Sequence, residues 1–388
     1  MKIQQIQVKI INDSRGDKTL EVNLSLGGQE VFASVPSGKS KGKGEVFVLD
    51  SELALNKFAE IKPKLEEDFS SLEEFDQFLI ELDGTTGKTN LGGNLILALS
   101  IAFTKAWAKL QNLQTFQLIA QISKQEIKLP LCFFNLIEGG VHAKNSVPFQ
   151  EYLFIPKTNS PKQSLETVTK AIPFLSGKIK KEYGELKQGD EGGFAVPSND
   201  PIAGLKILQE VFSLQFGLDV AASAMKQEKG YVVGEKVMSG EELLGLYKKI
   251  VNEFNVLSIE DPFAEEDWGS FTAATRELGK KVWIVGDDLT TTNVERIKLA
   301  QEKQAINAVI IKPNQIGSVT ETIQAANLAK SYGWKIIVSH RSGETMDTFI
   351  ADLVVGLGAD AIKSGCPLQK ERLVKYERLV EIEKTWHT

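Results

Sequence analysis

The chain has 388 residues, of which 42% are hydrophobic and 25% charged, enough to bury one large core or two smaller ones. A formal net charge of −6 and an isoelectric point near 5.5 supply no basic field for a polyanion, so no nucleic acid partner is expected. Cys132 and Cys366 lie in apolar stretches and are too few for a cysteine zinc site; with no signal-peptide pattern in MKIQQIQVKI and no apolar run of membrane-spanning length, free buried thiols, a cytoplasmic location and no membrane span are expected.

The first 35 residues alternate in strand fashion: IQQIQVKII, TLEVNLSLGG and QEVFASV, with Gly27-Gly28 as the hairpin turn between the second and third. They predict a three-stranded antiparallel sheet. From Ser51 to about Lys124 the apolar spacing becomes helical, first at Leu53, Leu55, Phe58 and Ile61, later at Leu95, Ile96, Leu99, Ile101 and Phe103. Sheet followed by helices predicts a small α+β domain over residues 1–128.

From residue 129 to 388 the organisation is strand then helix. Apolar runs end in a polar or charged residue at 216–220 (FGLDV), 256–261 (VLSIED), 282–288 (VWIVGDD), 308–312 (AVIIK), 335–340 (KIIVSH) and 360–365 (DAIKSG). Between the fourth and fifth, Ser318-Val-Thr-Glu321 predicts a capping box opening a helix. Repeated strand–helix units predict an α/β fold of the (β/α)8 barrel type. Neither a dinucleotide fingerprint nor a Walker loop occurs; the lysine-rich SGKSKGKG at 37–44 fits neither spacing.

The strand ends carry Asp219, Glu260, Asp287, Lys312, His340 and Lys363. In a barrel the C-terminal ends of parallel strands converge on one mouth, so these six are expected to share a site. Three carboxylates brought together resist ionisation unless a cation joins them, and all-oxygen ligation without His or Cys favours Mg2+; Asp219, Glu260 and Asp287 are the expected metal ligands. Any one of these acids alone would more often be a helix cap or a surface ion pair. Lys312 ends an apolar strand, where a charged lysine is costly; beside metal ions and Lys363 its pKa is expected to fall so that it acts as a base, the plainer alternative being a lysine paired with one of these acids. In GDEGGFAVP at 189–197, Glu191 is the matching candidate acid, with a pKa expected to rise on burial. Read alone, that stretch is equally a turn.

These motifs together resemble the enolase family along nearly the whole chain. SRGDKTLEV (14–22), VPSGKSKG (35–42), IELDGTTGKTNLGGNLILALS (80–100), GGVHAKN (139–145) and FQEYLFIP (149–156) occur first. GDEGGFA, GLDVAAS, SIEDPFAEEDW, GDDLTTTN, KPNQIGS and SHRSGET follow in the family's order. The resemblance implies an enolase barrel behind a smaller α+β domain, and reversible dehydration of 2-phosphoglycerate to phosphoenolpyruvate. It assigns Lys312 as base and Glu191 as acid. Asp219, Glu260 and Asp287 would bind the first Mg2+, Ser40 would contribute to a second, and His142, Gln150, Glu151, His340 and Lys363 would line the substrate pocket. Arg341 and Ser342 would hold the phosphate, a role suited to a planar guanidinium. A homodimer or higher homo-oligomer is implied as well.

Departures from the family pattern are Lys39 and Lys41, where small or hydroxyl residues are usual, Ala224 and Met346 in place of acids, and trimming after Val46 and around 156–188. None falls on a residue assigned to catalysis. Two rival readings are a metal-dependent proton abstractor acting on another carboxylate and a non-catalytic binding protein that keeps the fold. The first conflicts with SHRS and Glu191; the second predicts a lost ligand or base, and none is lost.

Overall fold

The computed structural model describes residues 2–39, 42–144, 146–212 and 215–386. Strands β1 (Ile3–Asn12), β2 (Lys18–Leu26) and β3 (Gln29–Ser34) form the expected antiparallel sheet. Leu26 pairs with Gln29, leaving Gly27 and Gly28 as a two-residue loop, both at positive φ as a type I′ turn demands. Alternate residues Leu20, Val22, Leu24 and Leu26 are buried under helix α3 (Gly93–Leu110). Helices α1 (Ser51–Ile61) and α2 (Leu72–Asp83) start at the side-chain caps Asp50 and Ser71, and α2 stops at Gly84 in the left-handed region. Phe75 stacks on Phe103 at 4.2 Å, fastening α2 to α3.

Eight further strands close on themselves: β4 (Leu131–Glu138), β5 (Glu151–Ile155), β6 (Gln215–Asp219), β7 (Val256–Glu260), β8 (Trp283–Gly286), β9 (Ala308–Ile311), β10 (Lys335–Ser339) and β11 (Ala361–Lys363). Pairing of β11 with β4 completes the barrel. From β6 onward neighbours are parallel, as the strand–helix alternation predicts. One strand departs: β5 is antiparallel to both β4 and β6. The reason is local, since the described residues between 139 and 150 contain no helix to carry the chain back, so β4 returns as a hairpin.

The barrel interior is filled by Phe133, Leu153, Ile155, Val285, Ala308, Ile310, Ile337 and Ala361. Cys132 and Cys366 are free and buried. Among the described residues no helix is long and apolar enough to cross a membrane. Ser318 caps the helix Val319–Ser331, accepting from Glu321 N at 3.3 Å. The expected capping box is only half formed, because the Glu321 carboxylate takes the Ser318 hydroxyl proton and pairs with Lys88 instead of reaching back.

The N-terminal sheet lies against the barrel mouth. Ser37 and Gly343 exchange backbone hydrogen bonds at 2.8 and 2.9 Å, Ser14 N donates to Glu344 O at 2.7 Å, and Thr320 N donates to Asp76 Oδ2 at 2.9 Å. These contacts bring the segment after β3 over the ends of the barrel strands.

Candidate active site

The ends of the barrel strands and the segment after β3 enclose a cavity of about 240 Å³. His142, Gln150, Glu151, Glu191, Asp219, Asp287, Lys312, His340, Arg341, Ser342 and Lys363 all line it. Glu260 is buried and joins the wall through Lys363, while Ser40 lies outside the described residues. Strand geometry explains the gathering: Asp219, Glu260 and Lys363 are the last residues of their strands, and Asp287, Lys312 and His340 follow theirs directly.

Buried lysines bind the carboxylates. Lys363 Nζ lies 3.0 Å from Asp219 Oδ2, 2.8 Å from Glu260 Oε2 and 3.4 Å from Glu151 Oε2. Burial opposes its charge, but Asp219, Glu151 and Glu260 outweigh it and raise its pKa well above the ordinary lysine value. Lys312 Nζ bonds Asp287 Oδ2, and Gln315 Nε2 donates to the other oxygen at 2.8 Å. In the protein alone Lys312 is thus the lysine paired with one of the acids, and the fall expected beside metal ions does not occur. Burial does push it down, but the paired Asp287 carboxylate pushes harder and keeps the amine protonated.

The remaining acids outnumber the cations. Burial and the charge of Asp219 lift Glu260 to about 8, and burial and Asp287 lift Asp288 to about 7. Asp261, held up by burial and Asp288, sits at φ 40° and accepts from Asp287 N at 2.9 Å and Asp288 N at 2.8 Å. Carboxylate oxygens of Asp261, Asp287 and Asp288 lie within 4.8 Å of one another, as do donor atoms of His142, Glu151 and Glu191. Glu151 Oε2 accepts no hydrogen bond from the described residues, Lys363 Nζ standing off at 3.4 Å. Excess buried carboxylate oxygens, one of them without a hydrogen bond, fit a hard divalent cation.

Around Glu191 the arrangement is asymmetric. Its Oε2 accepts from Asn135 Nδ2 at 3.1 Å and lies 3.1 Å from His340 Nε2; its Oε1 is 3.8 Å from His142 Nδ1. Arg372 Nη1 lies 2.6 Å from His340 Nδ1, and since a guanidinium only donates, the His340 proton belongs on Nε2, facing Glu191. Burial holds the His340 pKa down at about 4. Glu191 differs from expectation. Burial alone would raise it, but the fields of His340, His142 and Arg372 hold it well below the usual carboxylate range. The raised group is its neighbour Glu138, lifted by burial and by the Glu191 charge, which accepts from Glu191 N at 3.1 Å and Gly193 N at 2.5 Å.

The SHRSGET segment forms the opposite wall. Arg341 makes a fork with Glu45, Nη1 to Oε2 at 2.8 Å and Nη2 to Oε1 at 3.1 Å. Arg372 donates to the carbonyls of Arg341 at 2.5 Å and Ser342 at 2.7 Å, and Ser342 Oγ accepts from Arg15 Nη1 at 2.9 Å. Sequence reasoning missed Glu45, Glu138, Asp261, Asp288 and Arg372. Arg372 left a signal, since it shares with Lys375, Tyr376 and Leu379 the buried stripe of the C-terminal helix, where a paired cation must be anchored to something. Asp261 and Asp288 directly follow residues that were identified.

The family model described as "Enolase, N-terminal domain" matches residues 3–119, and that described as "Enolase, C-terminal TIM barrel domain" matches residues 126–387. The chain is 38% identical to Enolase B of Dictyostelium discoideum over 421 aligned residues, covering 99% of this chain and 95% of that protein.

Proposed function

The chain belongs to the enolase family and is a lyase of the phosphopyruvate hydratase type, and from that premise we propose that Lys312 and Glu191 carry its acid–base chemistry on 2-phosphoglycerate. The observation that carries this reading is that both line one buried cavity, together with Arg341 and Ser342. Arg341 and Ser342 would hold the substrate phosphate, placing the carboxylate end toward Lys363 and Lys312. Lys312 would take the α-proton and Glu191 would assist loss of the 3-hydroxyl, with His142, Gln150, Glu151 and His340 fixing the substrate between them. His340 is suited to hydrogen-bond as a neutral imidazole, because burial keeps it uncharged near neutral pH.

Asp219, Glu260 and Asp287 would hold Mg2+, and Ser40, outside the described residues, would contribute to a second. Mg2+ held there would supply positive charge next to the substrate carboxylate, drawing on the same Asp287 carboxylate that pairs with Lys312. Lys312 released from Asp287 would lose the partner that keeps it protonated. Glu191 needs the converse adjustment, gaining a proton before it can donate one. We further take residues 1–128 and 129–388 as its two domains, and the working form as a cytoplasmic homodimer or higher oligomer, which light scattering in solution checks.

The test is the ultraviolet absorbance of phosphoenolpyruvate forming from 2-phosphoglycerate, with Mg2+ and with excess chelator. Wild type is expected to form product only with Mg2+, and Lys312→Ala to lose about 10²–10⁴-fold in kcat while staying folded. Full activity in Lys312→Ala would remove Lys312 from the role of base.

A further inference from the structure

The lysine-rich stretch at 37–44 fits no phosphate-loop pattern. In the structure Lys39 makes contacts on both sides of the cavity. Its backbone N donates to Ser342 Oγ at 2.9 Å, on the wall that carries Arg341. Its Nζ pairs with Asp190 Oδ2 at 2.8 Å and lies 3.4 Å from Val141 O, on the wall that carries Glu191 and His142. The preceding residues are fixed: Ser37 is bonded to Gly343, and Gly38 presses on the Arg341 guanidinium so closely that a side chain there would collide with it. Asp190 is itself anchored, its N donating to His142 O at 3.2 Å and its O accepting from Gln369 Nε2 at 3.3 Å.

We propose that Lys39 is a positioning residue for the reaction: its ammonium clasps Asp190 and ties the segment over the phosphate-binding wall to the loop that carries the acid Glu191. The proposal rests on the functional reading above. Substrate bound on Arg341 and Ser342 meets Gly38 already pressed against the guanidinium, so the clasp adds to binding and leaves the chemical step alone. The side chains are 48% and 25% exposed, so the pair is partly screened. Pairs of this kind shift an equilibrium by about two- to fivefold, and salt weakens them.

Lys43 separates a clasp from simple attraction of an anionic substrate. It carries the same charge on the same segment, but its side chain is 72% exposed with Nζ 3.6 Å from Glu265, while its backbone N holds Glu265 without the side chain. Neutralising Lys43 removes charge without opening a clasp.

The experiment measures KM and kcat of the full-length, Mg2+-supplied enzyme for wild type, Lys39→Met, Asp190→Asn, the double variant and Lys43→Met. Affinity for inorganic phosphate is measured by calorimetry on the same proteins. Lys39→Met and Asp190→Asn are each expected to raise KM and weaken phosphate binding about threefold, with kcat unchanged. The double variant should be no worse than either single, and the differences should fade between about 20 mM and about 500 mM salt. Lys43→Met should match wild type. Single effects that multiply in the double variant would overturn the clasp, as would a fall in kcat or an equal effect of Lys43→Met. Should wild type form no phosphoenolpyruvate, the functional reading fails on that result, while the phosphate affinities still decide whether Lys39 and Asp190 act as a pair.

Discussion

Val285 and Asp287, Ile310 and Lys312, Ile337 and Ser339, Ala361 and Lys363 are pairs two residues apart along four barrel strands or at their ends. Side chains two apart project to the same side of a strand, so each pair enters the same barrel interior at successive levels. The lower members belong to the apolar plug and the upper members to the cavity wall. In the plug every wall of the environment is hydrocarbon, and burying each large aliphatic side chain there contributes about 1.5–3 kcal/mol. One level higher the barrel opens, the segment after β3 forms the cover, and buried carboxylates crowd Lys312 and Lys363. The fold thus stabilises itself in one layer and tolerates crowded charge in the next, where catalysis requires it.

Breaking the lower layer should leave the upper one working. Phe133, 1% exposed and stacked 6.1 Å from Trp283, loses its ring in Phe133→Ala, and the cavity left behind should cost about 3–5 kcal/mol in urea denaturation. kcat and KM of the Mg2+-loaded variant at 25 °C should stay within a fewfold of wild type. A loss of activity as steep as the loss of stability would mean that plug and mouth are not separable layers.

Neutralising the upper layer should do the reverse. A divalent cation at about 100–1,000 times its dissociation constant should add roughly 3–4 kcal/mol to the stability of the chelated protein, read from thermal midpoints. Glu260→Gln, which mimics the protonated acid that burial favours below about pH 8 and cannot ionise to hold a cation, should shrink that increment and leave the chelated protein about as stable as chelated wild type at pH 7. An increment unchanged in Glu260→Gln would remove Glu260 from the set of proposed ligands.

The two layers were unequally legible in the sequence. Apolar runs ending in a charge exposed both the barrel strands and Asp219, Glu260, Asp287, Lys312 and Lys363, because a strand's own hydrophobicity makes its terminal charge conspicuous. The hairpin at Gly27-Gly28 was readable for a similar reason, since its turn chemistry is local. What stayed hidden depends on closure of the whole fold. Glu45 meets Arg341 across 296 residues, and Arg372 reaches His340 only because the C-terminal helix packs on the helices Pro161–Tyr183 and Phe349–Gly356. Strand β5 was quoted as FQEYLFIP without its direction, which the missing crossover helix sets. The protonation states also reversed, because the partners that keep Lys312 charged and Glu191 ionised are tertiary neighbours.

A buried acid far from the mouth sharpens the contrast further. Asp76, on α2, is fully buried, and its Oδ2 accepts from Thr320 N at 2.9 Å. Burial raises its pKa from 3.8 to about 6, against the opposing hydrogen bonds from Ser100 and Thr320. The folded value lies above the unfolded one, so the stability that the neutral acid contributes is complete below about pH 4 and is lost as pH rises through about 6. At 1.36 kcal/mol per unit the ionised form costs the fold roughly 3 kcal/mol at most. Asp76→Asn keeps a carbonyl oxygen for Thr320 N and cannot ionise, so it should be about 2–3 kcal/mol more stable than wild type at pH 7.5, with the gap closing toward pH 4.5. A gap of the same size at both pH values in urea denaturation would show that ionisation of Asp76 is not its source. The barrel mouth holds its many acids beside Lys312, Lys363 and a proposed metal, whereas Asp76 is held down only by hydrogen bonds from Ser100 and Thr320, and the pH dependence measures what that difference is worth.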